Sequence, residues 1–313
     1  MLPARSSALA LAFALALAAA SPVAAKRLGE FEIQELAKGV TLLSGQTNSI
    51  VVERKDGLLV IDAQPSPEAG RALLAAIAKI SKQPVRYLVL THPHADAAGG
   101  ASAFPASTLI VATTGARERL ADPGYDFGAE IKRRAPDPAG WASPERPVPV
   151  LVSDGPFTLE DPERRVVIYP LPRAHADGNL WVDIPQAGLM AVGDLVVTDR
   201  NPYAGDDASI GHWIALLSDL SQLEKVKLVP LTGPPLDPEA ARPLRDALAW
   251  VRGRIHKGFV DLDPPEELVD RALSDPKAAT WFDLAAKPSF ARTVFARAYA
   301  EVVEERKKRG VDN

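Results

Sequence analysis

Three stretches of this chain hold the residue types that metals prefer. The run His92-x-His94-x-Asp96 offers two imidazoles and a carboxylate, and His175 and Asp194 follow separately. His92 and His94 are two positions apart, so on extended backbone both side chains fall on one side. Three imidazoles and a carboxylate suit a borderline metal such as zinc. The H-x-H pair alone fits two capping or surface histidines at least as well. The 313 residues include 5 His and no Cys. Missing thiols exclude disulfides, thiolate zinc sites, iron–sulfur clusters and a cysteine nucleophile. Any transition metal must therefore rest on histidines and carboxylates.

The rest of the composition narrows the chemistry further. Lys and Arg number 36 against 40 Asp and Glu, a formal net charge of −4. Such a balance argues against a nucleic-acid binder that works by neutralising phosphates. A hydrophobic share of 47% with 24% charged residues is enough for a sizeable core. No Gly-x-Ser-x-Gly elbow and no phosphate-binding loop occurs, so serine hydrolases and nucleoside triphosphatases have no support.

Elements must carry the candidate ligands to one place. Short strands are expected at 40–43, 50–52 and 58–61, the last two joined through Lys55-Asp56-Gly57 as a hairpin. Ser66-Pro67-Glu68 reads as a helix start, and Leu73, Leu74, Ile77 and Ile80 as its apolar stripe until Pro84 stops it. A buried strand at 85–90 runs straight into Thr91-His92-Pro93-His94. Strands at 164–169 and 189–192 lead to His175 and to Gly193-Asp194. A strand at 109–112, a helix at 117–120, a strand at 180–184, a helix at 209–223 and a strand at 227–231 complete the pattern, with helices from Pro238 on. Mixed strands and helices of this kind give an α/β or α+β fold with layered sheets. Asp62 closes a strand and is read as a turn cap. The segment 136–172 holds nine prolines and is taken as a substrate rim.

Residues 1–25 are set apart as a secretory signal. Arg5 supplies the basic start, 8–20 is an apolar run too short to span a bilayer, and Val23-Ala24-Ala25 offers a cleavage site before Lys26. The expected mature unit is 26–313, periplasmic or secreted, without a membrane span.

From Thr91 to Gly100 the sequence Thr-His-Pro-His-Ala-Asp-Ala-Ala-Gly-Gly resembles the T-H-x-H-x-D-H-x-x-G signature of the metallo-β-lactamase superfamily. Ala174-His175, Val192-Gly193-Asp194 and the stretch Val229 to Pro235 are similar to its later motifs, in the same order. The resemblance runs from about Gly39 to the last helix. In layout it is similar to exported metallohydrolases linked to quinoprotein and sulfur-oxidation systems. It implies a four-layer αβ/βα sandwich over 26–313, with a C-terminal helical extension from about 237. It also implies a metal site of His92, His94, His175 and Asp194, with Asp96 orienting the attacking water. Two positions depart from the pattern: the family's next histidine is Ala97 here and its last is Thr232. Both belong to the second metal site, so one complete site and one eroded site are expected.

The expected cofactor is a single zinc ion, with iron as the alternative metal, and the expected partner a small-molecule substrate. Asp194 either closes a tetrahedral site or joins a five-coordinate one that keeps a water. His212 is read most simply as a helix-face histidine, and second as a substrate contact together with Thr232; His256 is read as a surface residue. Three functions follow. The first is an exported metal-dependent hydrolase of an ester, thioester, lactone or amide-type bond. The second is a binding protein without turnover. The third is a mononuclear iron, persulfide dioxygenase-like oxidoreductase.

Overall fold

Continuous apolar runs become strands buried on both faces, which forces layers above and below each sheet. The computed structural model describes residues 26–125, 149–152, 154–261, 263–264, 267–285 and 288–310. The expected signal segment 1–25 lies outside the described residues. So does part of the expected proline-rich rim, at 136–148 and 153.

The first sheet holds eight strands in chain order: β1 (Lys26–Leu28), β2 (Phe31–Ala37), β3 (Val40–Ser44), β4 (Asn48–Arg54), β5 (Gly57–Ile61), β6 (Val85–Val89), β7 (Leu109–Ala112) and β8 (Leu151–Val152). Antiparallel pairing runs from β1 to β5, including the expected β4–β5 hairpin, and parallel pairing from β5 to β8. The second sheet orders β13 (Lys227–Pro230), β12 (Leu189–Gly193), β11 (Leu180–Ile184), β10 (Val166–Pro170) and β9 (Phe157–Leu159). Here β12 and β13 are parallel and the others antiparallel, so β10, β12 and β13 all run the same way.

Period-two alternation splits the strands between two cores. Leu59, Ile61, Val89 and Val111 meet Val166, Ile168, Val182 and Val229 between the sheets. Leu58, Val60 and Leu88 face the other way, onto helix α1 (Pro67–Ile80) with Leu73 and Ile77. The α1 start is the one expected: the Ser66 hydroxyl accepts from the Ala69 N–H at 3.2 Å, and Pro67 occupies the first turn. Two short helices follow on this side, α2 (Ala95–Ala98) and α3 (Thr114–Ala121). The latter begins three residues before the expected 117–120 helix, because Thr113 caps it through Ala116 N–H at 3.1 Å.

The outer face of the second sheet is covered by α4 (Ile210–Leu220), α5 (Ala241–Val260), α6 (Leu268–Leu273) and α7 (Pro288–Lys308). Trp213, Leu217, Leu248, Val251 and Phe295 share one core there with Val192 and Leu228. Helix, sheet, sheet, helix is the four-layer sandwich expected. No helix among the described residues is long and apolar enough to cross a membrane.

Three charged residues fasten the two sheets at the β4–β5 hairpin. Arg54, only 4% exposed, donates to the carbonyls of Leu159 at 2.9 Å and Glu160 at 3.1 Å. Arg164 returns the contact, donating to the Glu53 and Lys38 carbonyls at 3.0 and 2.7 Å. The Asp161 carboxylate accepts from the backbone of Lys55 at 2.8 Å, and from Glu163 and Arg164 at 3.0 Å.

Candidate metal centre

Strand direction gathers the candidate ligands. β6 of the first sheet ends just before Thr91-His92, and β10, β12 and β13 of the second end just before the His175 loop, Asp194 and Thr232. Irregular backbone after strand ends can present side chains into a shared cleft. Backbone bonds lock the two sheets together at this edge: Leu180 N–H donates to Thr91 O at 2.8 Å, and Asn48 N–H to Leu231 O at 2.7 Å.

The glycines after the ligand run permit very close packing. A Cβ on Gly100 would lie 2.0 Å from the Ala63 carbonyl oxygen, and one on Gly99 2.1 Å from that of Pro65. Gly193 holds φ at +54°, and a Cβ there would press on the Thr91 hydroxyl at 2.6 Å. Only glycine meets both demands without strain. The result is a tight turn that aims His92 and His94 at the second sheet.

His92, His94 and His175 form a buried triangle, each 1% exposed. Their ring centroids stand 4.9–5.1 Å apart and the ring planes are close to perpendicular. One nitrogen from each lies within 4.8 Å of the others. His94 Nδ1 and His175 Nε2 are 3.1 Å apart. Two nitrogens bound to one tetrahedral zinc would be separated by about 3.3 Å. Donor type, convergence and spacing therefore fit a single ion.

The outer ring atoms are held from behind. Thr91 Oγ1 is 3.1 Å from His92 Nδ1 and donates to Asp62, whose carboxylate also accepts the Thr91 N–H at 2.8 Å. Asp207 Oδ2 is 3.2 Å from His94 Nε2. Carboxylates behind ligating imidazoles fix tautomer and ring orientation. Asp62 thus caps the Thr91 turn, and does so directly behind a candidate ligand. Trp213 packs edge-on against His175 at 5.2 Å, with its indole N–H donating to Leu195 O at 2.8 Å.

Charge follows from this packing. Burial pushes the Asp62 carboxyl up to about 7, against the pull of His92 and the Thr91 bonds. Burial opposes a charge on His92, but the bonded Asp96 carboxylate outweighs it and lifts the ring above the ordinary imidazole value. Burial likewise opposes ionisation of Asp207. His94 and Arg119 prevail and hold its carboxyl well below the usual range.

The remaining expected site residues divide. Asp96 joins the cluster, with Oδ1 3.2 Å from His92 Nε2. Asp194, 4% exposed, lies with Oδ2 3.8 Å from His175 Nε2, and both its oxygens accept from Arg200 Nη2, at 2.7 and 2.8 Å. Thr232 accepts from Arg200 Nη1 at 2.5 Å and donates to Asp199 at 2.9 Å. Ala97 is fully buried, with its carbonyl bonded to the Ala63 N–H. His212 lies apart from the triangle on the exposed side of α4, its Nδ1 3.1 Å from the Arg173 carbonyl. His256 is exposed on α5.

Sequence reasoning missed Asp207 and Arg200. Asp207 reaches His94 from a loop far along the chain, with no local pattern to betray it. For Arg200 a signal existed: a cation six positions beyond the Gly193-Asp194 motif.

A cavity of about 500 Å³ opens beside the cluster, lined by Gly45, Thr47, Asn48, Arg200, Thr232 and Gly233. Thr47 ties it to the site by donating to the Asp96 carbonyl at 3.2 Å.

Comparison with known proteins agrees with this layout. Residues 43–248 match the family model described as the metallo-β-lactamase superfamily. A linear primary-alkylsulfatase from Pseudomonas sp. (strain ATCC 19151) is 24% identical over 275 residues, covering 73% of this chain and 50% of that protein. The solved structure of a stereoselective inverting sec-alkylsulfatase from Pseudomonas sp. aligns over 85% of this chain and 50% of its own, at 16% identity and a TM-score of 0.67. A metallo-β-lactamase from Pontibacter korlensis aligns over 70% of this chain and 99% of its own, at 21% identity and a TM-score of 0.56. The chain thus spans half the length of both sulfatases.

Proposed function

The chain belongs to the metallo-β-lactamase superfamily, and from that premise we propose that it is an exported hydrolase that works with one metal ion, zinc, held by His92, His94 and His175. The observation that carries the reading is the convergence of one nitrogen from each of these three rings within 4.8 Å. Three neutral imidazoles leave the charge of a divalent ion undiminished, and such an ion, when bound, acidifies water to a pKa of about 7 in well-built sites.

The chain's own groups divide the remaining work. Asp62 and Thr91 orient His92, and Asp207 orients His94. Asp96 stands beside His92 Nε2 and is the carboxylate placed to orient an attacking water and take its proton. The cavity beside Asp96 and Thr232 admits a small molecule. The substrate class is an ester, thioester, lactone or amide-type bond, and the primary-alkylsulfatase relative adds primary alkyl sulfates. Export rests on the 1–25 segment; a mature protein that begins at Lys26 in a periplasmic or culture fraction supports it.

The test is metal analysis and turnover on the purified chain. One zinc per chain and hydrolysis of one member of a panel of carboxyl esters, thioesters, lactones, β-lactams and alkyl sulfates are expected. Activity should vanish in His92→Ala. A protein that takes up no metal sinks the reading. A second reading, a binding protein without turnover, draws on the eroded ligands Ala97 and Thr232; it is favoured if metal binds stoichiometrically while every substrate stays intact.

A further inference from the structure

Beside the imidazole triangle lies a second group of candidate ligands: one atom each from His92, Asp96 and Asp194 within 4.8 Å of one another. His92 belongs to both groups, but its two ring nitrogens cannot serve both. Nδ1 meets the Thr91 hydroxyl, which leaves Nε2 alone facing the clusters. If the first site takes that atom, the second retains two carboxylates.

A cation already stands between those carboxylates. Arg200 Nη2 lies 2.7 and 2.8 Å from the two Asp194 oxygens and 3.9 Å from Asp96 Oδ2. Its other terminal nitrogen donates to Thr232 Oγ1 at 2.5 Å, and that hydroxyl in turn donates a hydrogen bond to Asp199 Oδ1 at 2.9 Å. The contacts are short, partly buried and span three separate chain segments. One Nη2 serves both Asp194 oxygens while Nη1 reaches Thr232, a spread of donors that a compact ammonium lacks. A divalent ion entering here would have to displace it or sit against a like charge, which is strongly unfavourable at such range.

We propose that the Arg200 guanidinium is the built-in second cation of this site: it occupies the Asp96–Asp194–Thr232 cluster, limits the chain to one metal ion, and holds Asp194 as an ion-pair partner. Arg200 is a positioning residue on this reading. It keeps the Asp194 carboxylate turned toward itself, and so leaves the imidazole site open on that side. Loss of metal ligands at Ala97 and Thr232 is then compensated rather than merely suffered. The inference rests on the one-metal reading of the imidazole site, and its test separates the two.

The experiment is a cobalt(II) titration of the metal-free full chain, followed by native mass spectrometry and visible absorption. No activity is needed for the readout. Wild type is expected to saturate at one equivalent. Arg200→Lys, which keeps a positive charge, should also stop at one. Arg200→Ala should accept a second equivalent, at least tenfold weaker than the first, because two carboxylates are left without their cation. Circular dichroism and thermal melting confirm that each variant is folded; Arg200→Gln replaces the alanine variant if that one is not. Two equivalents in the wild type overturn the inference, as does a folded Arg200→Ala or Arg200→Gln chain that still stops at one. No equivalent in the wild type overturns the imidazole site itself.

Discussion

His94 turns Nδ1 toward His175 because Asp207 holds Nε2. The Asp207 carboxylate is buried and stays ionised below the usual carboxylate range, since burial loses to His94 and Arg119. It therefore fixes the tautomer a metal needs. Removing such a partner usually lowers metal affinity by roughly 10–100-fold. Asp207→Asn should do the same here, measured by zinc competition with a chromophoric chelator; an unchanged affinity would show that packing alone sets the ring. Residues at this scale were legible where they sat in a local run. His92, His94 and Asp96 stand in one run whose resemblance to the family signature marks them, whereas Asp207 and Arg200 act across the fold and belong to no such run. Asp62 was visible as a turn cap. That it steadies Thr91 behind a candidate ligand follows only from the meeting of β5 and β6.

Elements position the site through two devices, one at each end of the strands. Near the ligands, glycines let the loop after β6 lie against the loop after β5. A methyl group on Gly100 would meet the Ala63 carbonyl at 2.0 Å, so backbone must move. Gly100→Ala should cost about 1–3 kcal/mol or more in stability. It should also weaken metal binding, because the same shift turns the His92–His94 segment; calorimetry and metal titration on one preparation check both. At the hairpin, Asp161 accepts three backbone N–H groups: that of Lys55 joins β4–β5 to the β9–β10 connection, and those of Glu163 and Arg164 brace the connection itself. Burial raises its carboxyl somewhat, but the three bonds and Arg54 outweigh that and lower it below the usual value. A depressed folded-state pKa contributes stability that is present above the ordinary carboxylate range and lost as pH falls through it. Asp161→Asn should therefore unfold more easily than wild type at pH 7, by about 1–3 kcal/mol, with the gap closing toward pH 3. Denaturant melts at both pH values read this directly, and a gap independent of pH would refute it.

At the scale of the whole molecule, the layers were legible and the cation seated in the eroded candidate site was not. Apolar runs such as Leu58 to Ile61 announce strands buried on both sides, and the capped start at Ser66 announces a covering helix. Those patterns are local, so they survive without tertiary information. The Arg200–Asp194–Thr232 cluster needs the ends of β12 and β13 and their loops to meet; the resemblance already implied Asp194 and Thr232 there, and only the fold brings Arg200 to them. The imidazole triangle has a further consequence for the global fold. His92 and His94 follow the first sheet and His175 follows a strand of the second, so an ion held by all three ties the two halves of the sandwich together. Binding only to the folded state stabilises by about 4 kcal/mol when free metal is at 1,000 times Kd. At roughly 2.1 cal/mol/K per residue, each kcal/mol moves Tm by about 1.5–2 °C in a chain of this size, so stripping the metal should lower Tm by about 6–8 °C. His175→Ala should melt at the same temperature with and without chelator, because its triangle is already broken. Equal melting of the wild type in zinc and in chelator would mean that the rings hold the two halves by packing alone.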